Sequence, residues 1–292
     1  MHELRRTRFR QELGSVATFG FTLAGTVSLH NAFRSRFIKE PRDIVVYLPP
    51  AYNSARSQRY PVLYLHDGQN LFDPVTAFNH NEWGADRVAE QLILNGEIEP
   101  LIIVGIYNAG SRRMSEYTHV PDYGGRGGLA REYGKMIVSD LKPFIDREYR
   151  TLPNSVNTGL GGSSLGGLVT MYLGLRYPEV FGKLLVMSPS VWWANRDILK
   201  KVHRAKHKGS QKIWLDVGTC EGINPQSCLR NVKDLRDALL VKGWRLGCDL
   251  EFLADEGAGH DEKAWGARIG HALKFLFPAV PVSSPVDASS FR

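Results

Sequence analysis

The chain has 292 residues, 43% of them hydrophobic, enough for one large α/β domain or two smaller ones. No apolar run approaches the roughly 20 residues that a membrane span needs, so a soluble protein is expected. The formal net charge of +7 could attract an anion. Its two basic clusters (Arg5, Arg6, Arg8 and Arg10; Lys200, Lys201, Arg204, Lys206 and Lys208) lie on no nucleic-acid-binding module and read as solvated faces.

The basic stretch "MHELRRTRFRQ" precedes "LGSVATFGFTLAG", a pairing that loosely mimics a signal peptide. The second stretch is diluted by Gly, Ser and Thr, and alternation in "GFTLAGTVSLH" suits a strand equally well. Three cysteines (Cys220, Cys228 and Cys248) leave one over from any disulfide framework and lack zinc-ligand spacing. A reducing, cytoplasmic location is expected, with secretion as the alternative.

From residue 42 onward, short apolar runs alternate with longer amphipathic ones. Strands are predicted over 43–49, 61–67, 100–107, 156–162, 183–188, 212–218 and 249–255. Their Val, Ile and Leu occur without strict alternation, the pattern of strands buried on both faces. Helical spacing is found over 82–96, 129–149 (with Pro143 as a bend), 165–178, 225–243 and 261–277. The lysine-rich segment near residue 200 also reads as helix. Such alternation predicts one domain, a mainly parallel sheet covered by helices. Residues 25–278 form that domain, between an N-terminal extension (1–24) and a Pro- and Ser-rich tail (279–292).

The stretch "GLGGSSLGGLVTMYLGLRYPE" (159–179) holds six glycines. It has no lysine for a Walker-type phosphate loop. Ser164 stands where a dinucleotide fingerprint needs its third glycine. What fits is G-x-S-x-G, here Gly162-Ser163-Ser164-Leu165-Gly166, between a predicted strand and a predicted helix. In such a nucleophile elbow the serine sits on a strained turn, and small neighbours keep the adjoining segments from colliding.

"YPVLYLHDGQNLFD", "GSSLGGL…GLRYPEVFG", "SPSVWW" and the late "GAGH" resemble the esterase D-like branch of the α/β-hydrolases. That branch includes feruloyl and acetyl-xylan esterases, siderophore trilactone esterases and mycolyltransferases. The resemblance spans residues 25–278 and implies an α/β-hydrolase fold and a serine esterase without metal or organic cofactor.

A serine nucleophile needs a base, and in this fold the chain order is Ser, acid, His. His260, in the glycine-punctuated loop "DEGAGHDE", fits; His271 falls mid-helix. The acid is Glu221, at the carboxyl end of strand 212–218 and at the family position, with Asp255 as rival and Asp216 within the strand. Oxyanion donors are the N–H of Leu165, following the nucleophile, and, by the resemblance, that of Gln69. His66 and Asp67 are read as shaping the Gln69 turn. Trp192 and Trp193, just past a strand end, either contact an aromatic or sugar-linked substrate or pack a corner. Arg112 and Arg113 either meet a polar substrate or fix the packing. Too little chain follows Ser188 for a cap domain, so an open site is expected, acting on a small-molecule or carbohydrate-linked ester. Acyl transfer with the same triad and a non-catalytic binding role are the alternatives.

Overall fold

The computed structural model describes residues 23–205 and 209–279. The N-terminal arginine cluster, most of the extension 1–24, Lys206, Lys208 and nearly all of the tail 279–292 lie outside these residues.

Eight strands form one sheet: β1 (Thr26–Phe33), β2 (Arg42–Leu48), β3 (Val62–His66), β4 (Ile102–Ile106), β5 (Thr158–Ser163), β6 (Lys183–Met187), β7 (Lys212–Gly218) and β8 (Leu250–Asp255). Their spatial order is β1-β2-β4-β3-β5-β6-β7-β8. The first two junctions are antiparallel and the other five parallel. All seven predicted strands are present. The described end of the alternating stretch at 20–30 begins the eighth, β1, a half-exposed edge strand from Thr26 whose register slips between His30 and Phe33.

The helices are α1 (Ala85–Leu94), α2 (Arg113–Glu116), α3 (Ala130–Met136), α4 (Lys142–Glu148), α5 (Leu165–Arg176), α6 (Trp193–Arg204), α7 (Pro225–Val241) and α8 (Glu262–Leu276). The single helix expected over 129–149 is split by a wide π-type turn at Ile137–Leu141. Pro143 follows that turn in the first turn of α4. Proline offers no N–H and crowds the carbonyl one turn back, so loosening the helix just ahead of it relieves the conflict.

Burial on both faces explains the runs of Val, Ile and Leu. In β2, Ile44, Val46 and Leu48 point into one core, and Val45 and Tyr47 into the other. Helices α3–α7 cover the first face, whereas α1 and α8 cover the second. Parallel strands run from β3 to β8, so their carboxyl ends gather on one edge, where open α/β sheets bind ligands. No helix among the described residues is long and apolar enough to cross a membrane.

Candidate active site

Ser164 links β5 to α5 with φ 60° and ψ −121°. A non-glycine residue held there costs on the order of 1–3 kcal/mol, so the surroundings must impose it. They do: Ser164 N–H donates to the Met187 carbonyl at 3.0 Å, and Ser190 N–H donates to the Ser164 carbonyl at 3.0 Å. The neighbouring glycines answer to crowding. A Cβ on Gly167 would lie 2.7 Å from the Met187 carbonyl oxygen, and one on Gly162 would lie 3.1 Å from His66 Cβ. Helix α5 thus sits against the ends of β3 and β6, with the Ser164 hydroxyl above the sheet edge.

Two loops from neighbouring strands converge on that hydroxyl. His260, between β8 and α8, places Nε2 2.9 Å from Ser164 Oγ. Its Nδ1 lies 2.8 Å from Oε2 of Glu221, which follows β7. The loop is anchored by Asp261, whose side chain caps α8 by accepting from Ala264 N–H at 2.9 Å. Glu221 is buried, and its Oε1 accepts from Gly218 N–H at 2.6 Å and from the Ser188 hydroxyl at 2.5 Å. The rival carboxylates are engaged elsewhere. Asp255 meets the guanidinium of Arg268 at 3.2 Å. Asp216, fully buried in β7, accepts from the Trp214 indole at 2.7 Å, and burial pushes its pKa up to about 6. His271 is exposed on α8.

The turn after β3 is held as tightly. Asp67 adopts φ 56° before the short helical turn Gly68–Asn70. Its carboxylate receives Arg113 Nε at 2.7 Å and Nη2 at 2.8 Å, and Asn108 Nδ2 at 2.7 Å. Burial alone would raise the Asp67 pKa, but Arg113 and Asn108 outweigh it and hold the carboxyl below its usual range. Arg113 is therefore committed to this turn, and Arg112 pairs with Glu40 at 3.2 Å. His66 is fully buried, with Nδ1 2.8 Å from Tyr133 Oη. Burial depresses its pKa to about 3, so it is a neutral structural element. Gln69 lies within the turn, and its side-chain Oε1 accepts from Asn108 N–H at 3.3 Å. Leu165 is the first residue of α5, where a helix N–H has no intrahelical acceptor.

A cavity of about 220 Å³ opens beside His260 and Glu221, walled also by Ser190, Trp192, Cys228, Asn231 and Val232. The two tryptophans part company here. Trp192 is 57% exposed and borders the cavity. Trp193 is 3% exposed and donates its indole N–H to the Val120 carbonyl at 2.8 Å, packing the corner between α6 and the 118–128 loop. Sequence reasoning missed the wall from α7. The helical spacing of 225–243 shows which face is buried, but not that its first turns lean over the strand ends. Ser188, Trp265 and Arg268 were missed too, because their grouping depends on the register of α8 against β6.

The chain matches the family described as "Putative esterase" over residues 35–276. It is 29% identical to the uncharacterized protein YbbA of Bacillus subtilis over 269 residues, covering 87% of this chain and 97% of that one. With the ferri-bacillibactin esterase BesA of Bacillus subtilis it shares 26% identity over 265 residues, covering 82% of this chain and 86% of that protein. The endo-1,4-beta-xylanase/feruloyl esterase of Xylanibacter ruminicola is 28% identical over 240 residues, covering 80% of this chain but only 29% of that protein. Among solved structures, the BES protein from Bacillus cereus superposes with a TM-score of 0.66 at 22% identity, covering 91% of this chain and 99% of that one. The chain belongs to the "Putative esterase" family and is a carboxylic-ester hydrolase of the α/β-hydrolase fold.

Proposed function

We propose that the chain hydrolyses esters through a Ser164-His260-Glu221 triad. The observation that carries this reading is the unbroken relay of 2.9 Å and 2.8 Å contacts from Ser164 Oγ through the imidazole to Glu221. His260 Nε2 takes the Ser164 proton as Oγ attacks the ester carbonyl. Glu221 holds the Nδ1–H tautomer and stabilises the imidazolium. The Gln69 and Leu165 N–H groups receive the oxyanion. His260 then protonates the departing alcohol, and water, deprotonated by the same nitrogen, releases the acid.

The cavity bounds the substrate. About 220 Å³ walled by the Trp192 ring, Val232 and Cys228 suits a compact or aromatic acyl group better than a long chain. The relative named feruloyl esterase fits that class. The His260 side chain is 34% exposed, and only residues 188–192 separate β6 from α6, so the site is open to water. Water access favours hydrolysis over transfer to an alcohol.

The test compares kcat/KM for p-nitrophenyl acetate, butyrate and palmitate and for methyl ferulate. Short-chain or feruloyl substrates should lead palmitate by at least about tenfold. A preference for palmitate, or transfer product exceeding hydrolysis at low alcohol concentration, would contradict the reading.

A further inference from the structure

Ser188, the residue after β6, combines an unusual backbone with an unusual set of partners. Its φ is 41°, outside the comfortable range of a non-glycine residue. Its backbone N–H donates to the Asp216 carbonyl at 2.9 Å, which fixes the turn. Its hydroxyl meets three groups: Trp265 Nε1 at 2.9 Å, Arg268 Nη2 at 3.0 Å and Glu221 Oε1 at 2.5 Å.

A serine hydroxyl has one proton and two lone pairs. The indole and the guanidinium can only donate, so they occupy both lone pairs. The proton is left one acceptor, Glu221 Oε1. Gly218 N–H donates to the same oxygen at 2.6 Å. Both donors therefore grip Oε1 and leave Oε2 to face His260 Nδ1.

The grip is itself braced. Trp265 and Arg268 are three residues apart on α8 and share one face of it. The Arg268 side chain is 2% exposed and lies 3.2 Å from Asp216 Oδ1 and 3.2 Å from Asp255 Oδ2. These carboxylates fix the guanidinium and balance its charge. The Trp265 ring also meets the His260 imidazole edge-on, with centroids 5.0 Å apart. One helix face thereby sets the orientation of both the acid and the base.

We propose that Ser188 is a positioning residue for the triad: clamped by Trp265 and Arg268, its hydroxyl fixes the carboxylate of Glu221 so that Oε2 alone is presented to His260. The inference rests on the triad assignment above. It gives Asp216 and Asp255, through Arg268, a role behind the acid rather than as the acid.

The test uses Ser188→Ala and Ser188→Gly in the full-length protein, each with a thermal melt to establish folding. Both variants remove the hydroxyl, but only glycine also removes the backbone conflict. Both should lose kcat about 10- to 100-fold on p-nitrophenyl acetate, with KM within about threefold. Both should also weaken the downfield proton NMR signal of the His260 Nδ1–H. Trp265→Phe, which deletes one of the two donors and keeps a ring, should show a smaller loss of kcat and serves if the serine variants do not fold. Wild-type kcat with an unchanged Nδ1–H signal in any of these folded variants would overturn the proposal. So would activity retained in the glycine variant alone, which would assign Ser188 to backbone geometry. If the wild-type protein cleaves no ester, the hydrolase reading fails, and the Nδ1–H signal still decides whether Ser188 sets the Glu221–His260 contact.

Discussion

Glu221→Gln keeps the volume of the side chain and removes its charge, and the structure dictates how the amide must sit. Oε1 of Glu221 receives two donors, the Gly218 N–H and the Ser188 hydroxyl. An amide NH2 at that position would face both, so the glutamine must place its oxygen there and turn its NH2 toward His260 Nδ1. Nδ1 then becomes the acceptor, Nε2 carries the proton, and the imidazole can no longer take one from Ser164. The electrostatic loss can be sized separately. Unit charges about 4 Å apart attract by about 4 kcal/mol at an effective dielectric of about 20, close to a thousandfold in rate. Solvent access to His260 trims this and the wrong tautomer adds to it, so a 10²- to 10⁴-fold loss of kcat is expected. KM should stay within about threefold, since Glu221 is buried behind the imidazole. The assay is steady-state hydrolysis of p-nitrophenyl acetate, with Asp255→Asn as the matched control, expected to lose under about tenfold. A larger loss from Asp255→Asn than from Glu221→Gln, both folded, would refute the assignment of Glu221 as the acid.

Two further predictions concern the scaffold. His66 has its pKa depressed to about 3, against an unfolded value of about 6.5. The folded state thus binds fewer protons, and the stability His66 contributes is complete above pH 6.5 and lost as pH falls toward 3. Unfolding free energy should drop by about 1.4 kcal/mol per pH unit below 6 from this group, and denaturant titrations of His66→Gln should show that much less slope. An unchanged slope would show that the imidazole is not buried as a neutral group. Gly167→Ala would drive a methyl to 2.7 Å from the Met187 carbonyl oxygen and 3.1 Å from Pro189 Cα. Because both obstacles are backbone, a loss of about 1–3 kcal/mol is expected, read as a melting temperature lower by several degrees; a melt matching wild type would sink the packing argument.

What the sequence made legible follows from where information is local. The buried strands were readable because both faces are apolar, and the elbow was readable because strand, Ser164 and helix adjoin in the chain. Chain order in this fold pointed to His260, but it admitted Asp216, Glu221 and Asp255 alike as the acid. Glu221 was preferred by its place at the end of strand 212–218 and by the family resemblance, with Asp255 left as a rival. Three things were not readable. The π-type turn at Ile137–Leu141 looks like continuous helix, since periodicity barely changes across one widened turn. Trp192 and Trp193 are adjacent and chemically identical, yet α6 begins between them and sends one to the cavity rim and the other into the core. The grip of Ser188, Trp265 and Arg268 on Glu221 joins residues some 80 positions apart (Arg268 and Ser188 differ by 80), and only tertiary packing brings them together.

Ser164 is the nucleophile on which every step of the proposed hydrolysis depends. The most direct measurement treats the purified protein with a fluorophosphonate and locates the adduct by peptide mass spectrometry, alongside p-nitrophenyl acetate turnover by wild type and Ser164→Ala. A single adduct on Ser164, in step with loss of turnover, and a folded Ser164→Ala variant at least about 10³-fold slower are the predicted results. An adduct elsewhere, or a folded Ser164→Ala protein that turns over ester at the wild-type rate, would contradict the mechanism.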